Sequence, residues 1–250
     1  METEAKVKSL KKAIDILDCF NIQEQELGIT EISQKLDLYK SNVHNLVSTL
    51  EQSGYLQKNP LSGKYHLGMK FLEKAFLVNA NMGIHALVHP YLQQLSDDLG
   101  EVVYFAIPKG PQILYLEGVY PASNYRARSI VGETAEMYCT ALGKSILAFM
   151  PADLQAQALA GQSMRAYTPQ TLVSKETLLR ELDQIRRQGF SMDNMEHEYG
   201  IKCVGVPVFK HDGSLMGAIS ISGPSLRIEN RIEALANQLK LCSQQMSLHL

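Results

Sequence analysis

An α+β protein in two parts is predicted for this 250-residue chain: an N-terminal winged helix-turn-helix, then a larger α/β domain on an antiparallel sheet. Three observations predict it. Apolar residues recur at helical spacing three times before Gly54, a hairpin pattern follows, and short β-branched runs alternate with helical stretches after Glu101.

Composition bounds the reading. With 45% hydrophobic and 20% charged residues the chain is long enough for two real cores. No run approaches the roughly 18 apolar residues of a membrane helix. The start, METEAKVKSLKK, has no apolar segment behind its lysines, so no membrane partner and a cytoplasmic location are expected. Cys19, Cys139, Cys203 and Cys242 are scattered without a CxxC, which indicates neither a zinc knuckle nor a disulfide framework. Reduced thiols, no metal and no cofactor are expected.

Taking the chain in order, Leu10, Ile14 and Leu17 set a first helix from about Ser9 to Phe20. Thr30 is the expected N-cap of a second, carrying Ile32 and Leu36, and Ser41 that of a third over Lys40 to Gly54. Val43, Leu46, Val47 and Leu50 stripe one side of this third helix; Ser41, Asn42, His44, Asn45, Ser48 and Thr49 fill the other. Such short hydrogen-bonding residues suit base edges, asparagine above all adenine. They also suit plain solvent. Gly54 is placed as the residue closing the helix, and YLQKNPLSGKYHL reads as a two-stranded wing. Residues 1–80 hold ten lysines, ten acidic residues and no arginine, so charge permits nucleic-acid binding without arguing for it.

The run ITEISQKLDLYKSNVHNLVSTLEQSGYLQKNPLSGKYHLG resembles the DNA-binding domain of the IclR family of bacterial transcription regulators. Lys40, Ser41, Val43, Leu46, Gly54, Tyr55 and Leu56 match its recognition helix and wing, whereas Asn42 and Asn45 stand where Thr and Arg are common. The resemblance implies a double-stranded DNA operator met by Tyr39, Lys40, Ser41, Asn42, His44, Asn45, Ser48, Lys58 and Lys64. Asn45 cannot supply the charge and fork of Arg, so a shallow salt dependence is expected.

GMKFLEKAFLVNANMG follows as a linker helix, giving expected boundaries of 1–68, 69–82 and 83–250. Its apolar side calls for a partner, and a homodimer or dimer of dimers would supply one. From Ile84 a new amphipathic helix begins, which Pro90 should kink or divide. EVVYFAIP, QILYLEGVYP, NYRARSIVG, FSMD, CVGVPVF and SLMGAISISG are strand-like. Helices are expected over Thr140 to Met150, from Pro151, over Lys175 to Gln188 and over Glu229 to Leu248.

Three constellations here carry chemistry. CTALGKS lacks the first glycine of a phosphate-binding P-loop, Tyr138 standing in its place, but a helix N-terminus still favours an anion. DNMEHEYGIKC gathers Asp193, Glu196, His197 and Cys203, which admits a thiol- or acid-dependent enzyme as the competing reading, the first domain serving only for dimerisation. Ser220 and Ser222 share one face of a strand. All three segments resemble the IclR effector domain. This implies a GAF-like fold and an effector pocket on Ala141, Leu142, Gly143, Asp193, Cys203, Ser220 and Ser222, with Glu196 a further candidate. It also implies a non-enzymatic regulator, most often a repressor, tuned allosterically by a small organic acid of keto-acid, sugar-acid or aromatic type. Asp193 would repel a purely anionic ligand, which favours one with hydroxyl donors.

Overall fold

Ile16, Ile32, Val43 and Val47 are fully buried around one small core, each stabilising it by about 1.5–3 kcal/mol. They come from three helices, α1 (Lys8–Asp18), α2 (Ile29–Leu36) and α3 (Lys40–Gln52). The computed structural model describes residues 6–121 and 130–250. The chain divides into two units between Met82 and Gly83.

In the first unit two helices start elsewhere than expected. The N-cap of α2 is Gly28, not Thr30, because the Glu31 carboxylate reaches back to accept the Gly28 N–H at 2.6 Å. Likewise Tyr39, not Ser41, precedes α3. The Leu38 carbonyl accepts from Ser33 Oγ at 2.5 Å and its N–H donates to the Ser33 carbonyl at 3.1 Å, so the turn is finished by Tyr39. At the far end Gly54 has φ 78°, and Gly54 and Tyr55 donate back to Glu51 and Leu50, a Schellman closure. The wing follows as β1 (Leu56–Lys58) paired antiparallel with β2 (Tyr65–Leu67), and Leu27 adds a bridge to Tyr65. α4 (Lys70–Met82) ends the unit.

The second unit opens with α5 (Ile84–Leu99), which runs unbroken through Pro90. Pro90 is exposed while Val88, Leu92 and Leu95 are buried, so the proline's lost hydrogen bond lies on the outer side and the packed side holds the helix together. Then come β3 (Val102–Lys109), β4 (Gln112–Val119) and β5 (Thr134–Glu136), the last not foreseen. Of the expected NYRARSIVG strand, residues 124–129 lie outside the described residues and the rest forms a turn. α6 (Ala141–Phe149), α7 (Ala152–Ala158, after Pro151 as cap) and α8 (Lys175–Gln188) precede β6 (Ser191–Asn194), β7 (Ile201–Phe209) and β8 (Leu215–Pro224). A short α9 (Ser225–Ile228) precedes the expected final helix, which is α10 (Ile232–Ser247) and begins three residues after Glu229.

All six strands of the main sheet pair antiparallel in the order β5-β4-β3-β8-β7-β6. α5 and α10 bury one face with Val103, Phe105, Val204 and Ile219. α6, backed by α8, buries the other with Tyr104, Ala106 and Ala218. The fold is thus the two-part α+β arrangement, helices on both faces.

Candidate effector site and nucleic-acid interface

The register of three strand pairings assembles the first site. Asp193 lies opposite Cys203, Cys203 opposite Ser222, and Ser222 opposite Val102. This row crosses four strands on the face beneath α6. One pleat along, Ser191, Gly205, Ser220 and Tyr104 form a second row. Gly205 lets the helix come down, since a Cβ there would lie 2.9 Å from the Ala141 carbonyl carbon. Ser191 Oγ then donates to the Ala141 oxygen at 2.6 Å, which pins the first turn of α6 over the rows.

Between them is a cavity of about 530 Å³. Of the expected effector residues it brings together Ala141, Leu142, Asp193, Cys203, Ser220 and Ser222. It does not include Gly143 or Glu196. Gly143 faces away, where a Cβ would meet the Met137 backbone at 2.2 Å, and its N–H is taken by Thr140 Oγ1 at 3.1 Å. Glu196 turns to Lys144 instead, 2.6 Å from its ammonium. Tyr104, Tyr115 and Thr140 also line the cavity and were missed. Period-two alternation from Val102 would have placed Tyr104, though not Thr140.

Burial dominates the electrostatics. It raises the Asp193 carboxyl to about 7, against two backbone N–H groups, those of Glu196 at 2.6 Å and His197 at 3.4 Å, that favour the anion. The same burial pushes the thiol of Cys203 and the phenols of Tyr104 and Tyr115 up, and His197 down. Cys203 Sγ donates to Ser222 Oγ at 3.3 Å. A neutral thiol bonded to a serine is a poor nucleophile and counts against the thiol-enzyme reading. Below lies the fully buried Lys144, whose ammonium donates to Glu181 at 2.5 Å and Glu196 at 2.6 Å. Burial alone would neutralise it, but the two carboxylates outweigh this and hold it charged.

The second site is the outer face of α3. Ser41, Asn42, His44 and Asn45 are exposed and Ser48 is half-buried. Tyr39 is 83% exposed just before the helix. Thr49 is spoken for, its hydroxyl donating to the Asn45 carbonyl at 2.9 Å. Lys40 and Lys58 are exposed, the latter 5.6 Å from the Tyr65 ring centre. Lys64, by contrast, is paired with Glu31 at 2.7 Å, so a phosphate would have to displace a carboxylate to reach it.

Residues 76–248 match the model of the bacterial transcriptional regulator IclR C-terminal domain, and residues 9–60 that of the IclR helix-turn-helix domain. The chain belongs to the IclR family of bacterial transcriptional regulators. It is 36% identical over 225 residues, 90% of this chain and 89% of the relative, to the HTH-type transcriptional regulator XynR of Escherichia coli strain K12. It is 33% identical to the KdgR regulator of the same strain, covering 96% of this chain and 92% of that one. An IclR-family regulator from Brucella abortus has the same fold, with a TM-score of 0.85 at 26% identity over 100% of this chain and 95% of the other. The IclR winged helix and effector domain therefore account for nearly the whole chain.

Proposed function

We propose that this regulator binds a two-fold operator through α3 and the wing of a homodimer, and that a small hydroxylated carboxylic acid in the α6 cavity alters its operator affinity. The observation that carries the ligand class is the pairing of a helix N-terminus with a carboxyl poised near neutrality. The Ala141 and Leu142 N–H groups, with the helix dipole behind them, offer a carboxylate its place. Asp193, when protonated, donates to a keto or hydroxyl oxygen, and Ser220 and Ser222 exchange hydrogen bonds with further hydroxyls. No lysine or arginine lines the cavity among the described residues, so the ligand is held by hydroxyls as much as by charge. A sugar-acid type fits this best.

A thermal-shift screen of hydroxylated and plain small acids tests the reading, since a ligand at 100 times its Kd stabilises by about 2.7 kcal/mol. Titration calorimetry of the best ligand on Asp193→Ala follows. Unchanged affinity would remove Asp193 from the site, and a preference for plain keto acids would overturn the ligand class. Gel-shift on the chain's own upstream region, with and without the ligand, reads the direction of the response; repression relieved by ligand is the expected result.

A further inference from the structure

We propose that His85, His89 and Glu117 form a binding site for a divalent transition-metal ion of the zinc class, on the opposite face of the sheet from the effector cavity. The cysteines carry no metal motif, but the spacing HALVH places two imidazoles one turn apart on α5. Their ring centres are 4.5 Å apart. Glu117 rises between them from β4, with Oε2 at 2.5 Å from His85 Nδ1 and Oε1 at 3.4 Å from His89 Nδ1. One ligand atom from each residue lies within 4.8 Å of the others.

Two independent features favour a ligand here over a simple ion pair. First, Glu117 is aimed at α5 by a β-bulge. On β4, Ile113 and Tyr115 face α6, and strict alternation would send Glu117 the same way. The register instead jumps between Phe105 and Ala106, whose partners are Glu117 and Tyr115, so Leu116 is the extra residue and Glu117 takes the face of Phe105. Second, His89 Nδ1 is buried and makes no hydrogen bond although a carboxylate oxygen is close by. Glu117 itself is 8% exposed. A buried carboxylate and an orphaned imidazole nitrogen that converge are what a cation would satisfy together.

The donor set selects the ion. Two imidazole nitrogens and one carboxylate, without thiolate, suit Zn²⁺ or its neighbours and not the all-oxygen preference of Mg²⁺ or Ca²⁺. Tetrahedral zinc with ~2.0–2.1 Å bonds holds its ligand atoms roughly 3.3 Å apart, close to the separation His89 and Glu117 already have. His85 need only draw back from its present contact. Three protein ligands leave a fourth position open, and the ion would tie the first turn of α5, just after Gly83, to the sheet.

The test uses full-length protein stripped with chelator, titrated with zinc chloride, dialysed and analysed by elemental mass spectrometry. One zinc per chain is expected, with affinity falling at least about tenfold in His85→Ala, His89→Gln and Glu117→Gln. Cys19→Ser, in the first unit and outside both sites, should bind as the wild type does. Cobalt substitution gives a readout independent of folding in the variants: visible ligand-field bands without a thiolate charge-transfer band are expected. Substoichiometric zinc in the wild type, binding that survives the His85→Ala, His89→Gln double variant, or a thiolate band abolished by Cys203→Ser would each overturn the site.

Discussion

Asp193 is a carboxyl whose neutral form the fold prefers, and the sign of its effect on stability follows. Its pKa rises from an unfolded value near 3.9 to about 7, so the native state holds a proton that the unfolded chain gives up between these values. Stability therefore falls as pH climbs from about 4 to 7, by on the order of 4 kcal/mol at most, and the loss is complete above 7. Asp193→Asn keeps an oxygen to accept from Glu196 and His197 and removes the titration. Denaturant melts at pH 5 and pH 8 should show the variant gaining on the wild type at the higher pH; a constant difference would refute the shift. A second residue works oppositely. Lys144→Met leaves Glu196 buried with no cation beside it, and should cost about 3–5 kcal/mol in the same melts.

At the level of elements, α3 is where function and packing separate most cleanly. Asn45→Ala should weaken operator binding by about 1–3 kcal/mol and relax base preference, while Val47→Ala should lower stability through its cavity, by about 0.5–1.5 kcal/mol per lost methyl group. Asn45→Arg should steepen the plot of log affinity against log salt by about 1, read by fluorescence anisotropy. Helices with strong local signals were legible in the sequence: α8 spans the expected Lys175–Gln188. Starts that depend on a reaching side chain were not, as with Glu31 capping Gly28 from three residues on. The site was legible where it sits on strands, because alternation carries Ser220 and Ser222 to one face. It failed at Gly143 and Glu196, whose neighbours Met137 and Lys144 leave no mark on the spacing that suggested them. The bulge at Leu116 is of the same kind, since one inserted residue reverses the face of everything after it.

For the whole molecule, coupling between effector and operator must be reciprocal. If ligand changes operator affinity by some factor, operator DNA changes ligand affinity by that same factor, commonly 5- to 150-fold. Calorimetry with and without operator should return matching ratios. α4 leaves Leu72 and Phe76, four residues apart on one side, more than half exposed, a face suited to the second copy proposed above. In the proposed homodimer, Phe76→Glu should shift sedimentation toward the monomer and weaken operator binding with it. The row Asp193, Cys203, Ser222 and Val102 has one more consequence. Its members come from four strands and from both ends of the second unit's sequence, so no early folding fragment contains the pocket. A ligand that needs all four strands in register binds only the finished domain, and so protects it from every partial opening that a protease exploits. In the cell the effector would then set how long the regulator survives as well as whether it holds its operator, and starvation for that acid would shorten its life.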